Sequence, residues 1–112
     1  MININVSYRI KPEFSETNRK NIELFLESFR ELDYTKFRYQ VFVEEDRLTF
    51  YHHSAYANEE IQKQLLAMPK FLEFQSQRDQ NLEGEPEIKI LKFQGSAGSF
   101  DNIFGNFDAP EI

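Results

Sequence analysis

Residues 2–10 alternate without interruption, with Ile2, Ile4, Val6, Tyr8 and Ile10 on one parity and Asn3, Asn5, Ser7 and Arg9 on the other. Successive strand side chains leave on opposite faces, so this period of two specifies a strand buried on one side and polar on the other. Pro12 ends the pattern. Ser15 is the expected N-cap of a helix over 16–32, with Ile22, Phe25, Leu26, Phe29 and Leu32 at helical spacing and Leu24 off the stripe. Alternation returns at 34–45, where Phe37, Tyr39, Val41 and Val43 oppose Arg38, Gln40 and Phe42. The polar turn Glu44-Glu45-Asp46-Arg47 leads into a third strand over 48–56, so these two strands form an antiparallel hairpin. Asn58, with Glu59 and Glu60 behind it, caps a second helix carrying Ile61, Leu65 and Met68. Pro69 predicts a kink, with a further helical segment through Phe71, Leu72 and Phe74. After a polar loop containing Gly84, the stretch 87–94 is the last predicted strand.

The order is β-α-β-β-α-β. The fold class is therefore α+β, the ferredoxin-like plan in which a four-stranded antiparallel sheet carries its helices on one face. The opposite face is expected to hold Phe42, Tyr51, Leu91 and Phe93 among polar groups, with Arg9, Arg38 and His53 there to pair across an interface or to bind an anion. That apolar area predicts a homodimer with the bare sheets facing each other. Residues 1–95 form one domain, and 96–112 form a tail that holds Phe100, Ile103, Phe104 and Phe107; the stretch 95–112 holds three of the four glycines.

Charge and composition exclude several classes. The net charge is −6 with no cluster of Lys and Arg, which argues against nucleic acid. Cysteine is absent, so disulfides and thiolate chemistry are ruled out. The N-terminus has neither a basic start nor a long apolar run, so no signal peptide, no membrane span and a cytoplasmic location are expected. His52 and His53 point to opposite faces and do not make a shared metal site. Phosphate-loop and serine-nucleophile patterns are missing. Twelve Phe and five Tyr remain to be placed, as core, as pocket lining or as interface.

The run Phe50-Tyr51-His52-His53-Ser54-Ala55-Tyr56-Ala57-Asn58-Glu59-Glu60, followed by Leu65, Met68-Pro69-Lys70-Phe71 and Phe74, resembles the antibiotic biosynthesis monooxygenase (ABM-type) family of dimeric α-β barrels. The likeness spans roughly residues 2–95. It implies a homodimer with a pocket in each subunit between sheet and helices. It also implies activities ranging from cofactor-free oxygenation of phenolic or quinol compounds to haem degradation, with some members having no known reaction. Tyr8 and Tyr56 stand where the haem-degrading branch uses Asn and Trp. Gln62, Gln64, Gln75 or Gln77 stands where that branch needs a helical His, so haem degradation is disfavoured. Ser54 replaces the strand-three glutamate of many members.

By parity, Tyr8, Tyr39, His52 and Tyr56 face the helices. His52, Tyr8 and Tyr56 are thus the candidate catalytic residues: a histidine to take a proton from a phenol or enol, and tyrosine hydroxyls to hold the oxyanion. Tyr39, Phe50, Leu65 and Met68 are the candidate substrate-binding residues, for a small apolar or aromatic ligand, with no metal and no cofactor expected. The other reading is a non-catalytic dimer in which the same residues are core rings with satisfied polar ends. An enzyme should show an open space onto which His52 and a tyrosine converge; a binding or interaction module should fill it with side chains.

Overall fold

The computed structural model describes residues 1–98; Phe100, Ile103, Phe104 and Phe107 of the expected tail lie outside the described residues. Strand β1 (Ile2–Arg9) leads through a 3₁₀ turn (Pro12–Phe14) into helix α1 (Ser15–Phe29). Strands β2 (Phe37–Val43) and β3 (Thr49–Tyr56) form the hairpin, followed by α2 (Glu59–Leu66), α3 (Pro69–Asp79) and β4 (Glu87–Leu91). The sheet order is β2-β3-β1-β4, and every pairing is antiparallel. This is the ferredoxin-like arrangement that the element order predicts.

Several local expectations are corrected. Ser15 does not cap α1: Phe14 is the N-cap, and the Ser15 hydroxyl donates to the Arg47 carbonyl 2.7 Å away, tying the helix start to the hairpin turn. Pro12 explains the shift, because its locked φ starts a 3₁₀ turn ahead of the helix. The helix ends at Phe29, short of Leu32, which packs on the core from the following turn. Pro69 begins a separate helix where a bend in one helix was expected: Met68 is extended, as a residue before proline prefers. Asn58 caps α2 as expected, its Oδ1 accepting from the Ile61 amide at 3.0 Å. At the hairpin, Asp46 accepts from the Leu48 amide and Arg47 takes a left-handed φ of 62°. Strand β4 stops at Leu91, so Phe93 lies beyond the sheet edge.

The registers settle the faces. Tyr8 sits opposite Phe50, Val6 opposite His52, and His52 opposite Val41. Even-numbered residues of β1 and β3 and odd-numbered residues of β2 therefore share the helix-covered face. Phe25 and Phe29 of α1, Ile61 and Leu65 of α2, and Phe71 and Phe74 of α3 close the core over Tyr8, Phe50 and Tyr56. Burial of each of these large side chains contributes roughly 1.5–3 kcal/mol. Strand β4 lies outside this cover. Ile88 and Ile90 align with Val6 and Ile4 on the helix side, yet are 67% and 81% exposed.

The reverse face carries Phe42, Tyr51, His53 and Leu91 among Asn3, Asn5, Arg38, Gln40 and Lys89. On that face Arg9 bridges Asp46 at 3.2 Å and Glu83 at 3.4 Å in its own chain. Among the described residues, no helix is long and apolar enough to cross a membrane.

Candidate functional site

The helix-facing parity of β1, β2 and β3 delivers three polar side chains to one point inside the aromatic core. The Tyr8 hydroxyl lies 2.8 Å from His52 Nε2, and the Tyr39 hydroxyl lies 2.8 Å from His52 Nδ1. Asn18, at the end of the first turn of α1, places its amide nitrogen 3.0 Å from the Tyr8 hydroxyl. A neutral imidazole offers one N–H and one lone pair, so the row Asn18–Tyr8–His52–Tyr39 has a direction. With the Asn18 amide donating to Tyr8, Tyr8 donates to Nε2, and Nδ1–H donates to the Tyr39 oxygen. Turning the Asn18 amide over reverses every donor: Tyr39 donates to Nδ1, Nε2–H donates to Tyr8, and Tyr8 donates to the amide oxygen. That oxygen is buried and has no partner among the described residues in the first arrangement. The two directions differ only by proton shifts and one amide rotation, so the row can hold the imidazole lone pair at either end.

The surroundings keep the histidine neutral. His52 is 2% exposed, and burial pushes its pKa down from 6.5 to about 3, with the charges of Arg78 and His53 adding to the effect. Burial likewise pushes the Tyr8 phenol well above its ordinary value, against the opposing pull of the Asn18 hydrogen bond and the Arg78 charge. Tyr39 is raised chiefly by burial as well. Arg78 holds its guanidinium 5.3 Å from the Tyr8 ring centre and 5.2 Å from that of Phe74, in cation–π geometry, while pairing with Asp79 at 2.9 Å. Phe25 and Phe74 stack on the imidazole at 6.1 and 5.4 Å between centroids.

The expected site residues divide. His52 and Tyr8 come together, and Tyr39, one of the helix-facing groups and expected among the substrate-binding residues, holds the second imidazole nitrogen. Tyr56 does not join them. It lies four residues along β3 from His52, about 13 Å of strand, opposite Ile2 and Phe37. Phe50 stacks on Tyr8 with centroids 5.5 Å apart. Leu65 is fully buried, and Met68 packs at the core margin. Side chains fill the space around the imidazole. The depression formed by Asn3, Arg38, Gln40, His53, Ser54 and Leu91 opens on the opposite sheet face.

Sequence reasoning missed Asn18 and Arg78. Both carried a signal: Asn18 continues the buried stripe Ile22, Phe25 and Phe29 one turn backwards, and Arg78 continues Phe71 and Phe74 one turn forwards. A polar residue in register with a buried helical stripe has to find a partner inside.

A four-stranded antiparallel sheet in the order β2-β3-β1-β4, with the helices packed on one face, defines an α+β protein of the ferredoxin-like fold seen in ABM-type proteins. Solved structures share it, 48 chains in all. One described as an antibiotic biosynthesis monooxygenase superposes with a TM-score of 0.72 at 14% identity, over 85% of this chain and 100% of that one. A conserved protein from Methanosarcina mazei gives 0.70 at 18% identity, over 83% and 92%. A protein from Nitrosomonas europaea provisionally assigned as an antibiotic biosynthesis monooxygenase gives 0.70 at 14% identity, over 83% and 98%. No protein-family profile matches the chain, and no curated protein matches it. At these identities the likeness is one of fold.

Proposed function

We propose that the protein is a cytoplasmic, homodimeric, cofactor-independent monooxygenase-like enzyme acting on a small aromatic or quinone-type compound. The observation that carries this reading is the neutral His52 held between two phenols. Its fold is that of structures described as antibiotic biosynthesis monooxygenases. When the imidazole lone pair lies at Nδ1, His52 takes the proton of a phenolic or enolic O–H, and Nε2–H leans on the Tyr8 oxygen. The resulting imidazolium and oxyanion remain a neutral pair, which a buried site tolerates far better than a lone charge. The electron-rich substrate anion then meets dioxygen. With a ring methylene, as in an anthrone, one oxygen atom replaces its two hydrogens and the other leaves with them as water, so the substrate supplies all four electrons that dioxygen accepts.

The test is oxygen uptake with an anthrone or a hydroquinone as substrate. His52→Ala should lower turnover by about 10²–10⁴-fold, the usual contribution of a general base, while the protein keeps its size in solution. Unchanged turnover removes His52 from the mechanism.

A second reading has its own observation. His52 and Tyr8 are 2% and 3% exposed and the space about them is filled, as a non-catalytic dimer that binds a small ligand or serves as an interaction module would have it. A wild-type protein that consumes no oxygen with either compound favours this reading.

A further inference from the structure

The four members of the polar row are not held alike. Asn18, Tyr8 and His52 are almost wholly buried, at 0%, 3% and 2% exposure, whereas Tyr39 is only partly buried. Tyr39 also stands on β2, one of the two edge strands of the sheet, with a neighbouring strand on one side only. Its hydroxyl is desolvated, while the residue as a whole keeps part of its surface in solvent. Around that ring, Phe25, Phe29 and Phe71 present themselves near-perpendicularly, with centroids at 5.5, 5.4 and 6.2 Å. Such edge-to-face walls suit any flat six-membered ring. At the inner end stands His52 Nδ1, 2.8 Å from the phenol oxygen. Three aromatic walls and one imidazole nitrogen at the far end make a slot for a phenol, and in this structure the chain's own phenol fills it.

We infer that the slot occupied by the Tyr39 side chain is a binding site for a monocyclic phenol or hydroquinone, which enters by displacing Tyr39 and presents its hydroxyl to His52 Nδ1. This rests on the enzymatic reading for its biological sense and supplies that reading with its missing opening. The exchange is like for like: the entering phenol recovers the ring contacts and the hydrogen bond that Tyr39 gives up. The displaced tyrosine swings past the open sheet edge into water, where its hydroxyl is solvated. Ring systems wider than one six-membered ring must leave their remaining rings outside the slot, towards the β2 edge.

The probes are p-cresol, which matches the tyrosine side chain, and toluene, which lacks only the hydroxyl. In the wild-type protein, p-cresol should shift the His52 imidazole ¹⁵N resonances and the Tyr39 ring resonances together, in a saturable manner. No shift up to the solubility limit of p-cresol overturns the inference, whatever any variant does. In Tyr39→Ala the slot stands open, and p-cresol should bind at least about tenfold tighter than toluene, the selectivity of one buried hydrogen bond. Tyr39→Phe, which refills the slot without a hydroxyl, should bind p-cresol no better than the wild type. Equal affinity for p-cresol and toluene in Tyr39→Ala overturns the inference, because the walls alone would then be doing the binding. These are binding measurements and need no turnover: p-cresol binding with no oxygen uptake by any phenol keeps the slot and sinks the enzyme.

Discussion

The imidazole of His52 shows how much a single buried side chain depends on its neighbours. In the unfolded chain it titrates near 6.5, and in the folded protein near 3. Between those values the unfolded state binds a proton that the folded state does not, so folding stability rises with pH and is lost as the pH falls from about 6.5 towards 3. The slope from this one group is about 1.4 kcal/mol per pH unit within that window. Carboxylates titrate in the same range, so the contribution has to be read as a difference. Urea denaturation at pH 6 and pH 4.5 should show the wild type losing roughly 2 kcal/mol more than His52→Phe over the same interval. Equal losses would mean that the imidazole titrates in the folded protein as it does in the unfolded chain. Helix-facing parity made His52, Tyr8 and Tyr39 visible in the chain as a possible set. That His52 meets Tyr8 and Tyr39, and not Tyr56, was not visible, because parity gives the face of a strand and not the position along it.

Among the elements, the ends of the helices were the hardest to place. Asn58 was legible because its side chain accepts from the Ile61 amide three residues on, a local matter. Asn58→Ala should cost about 1 kcal/mol of stability, measured by urea denaturation, with no effect on the distant His52 resonances. Ser15 looked like the same device and is not. Its hydroxyl is taken by the Arg47 carbonyl, 32 residues away, a partner that only the packed hairpin provides. Pro69 illustrates the same limit: a proline reads equally as a kink or as the first residue of a new helix, and the extended Met68 before it decides for the latter. Asn18 and Arg78 lie on helix stripes whose apolar members were identified correctly. Their inward positions were implied by the same spacing that placed Phe25 and Phe74.

For the molecule as a whole, the unresolved balance is on the uncovered surfaces. The helices protect three strands and leave β4 bare on its helix side, while Phe42 and Leu91 stand 47% and 44% exposed on the reverse face. At the middle of that face the Asn5 side-chain oxygen is buried without a hydrogen-bond partner among the described residues. Under the proposed pairing of reverse faces, Phe42→Asp places a charge where a second copy would bury it. Sedimentation at micromolar concentration should then change from dimer to monomer, with the unfolding midpoint of the protomer little altered, since Phe42 contributes little to its own core. A wild-type protein that sediments as a monomer removes the proposed assembly and leaves the His52 row untouched.

Alternation and helical spacing are written into a chain locally, and from them come the element order, the ferredoxin-like sheet and the face to which each strand residue turns. Registers, helix closure and the choice of hydrogen-bond partner join residues tens of positions apart, and they are settled only when all the elements pack at once. Thus the chain alone placed a histidine and tyrosines on one apolar face. Only the folded protein could add Asn18 from α1, set Arg78 over the Tyr8 ring and put the Tyr39 phenol on the second nitrogen of His52.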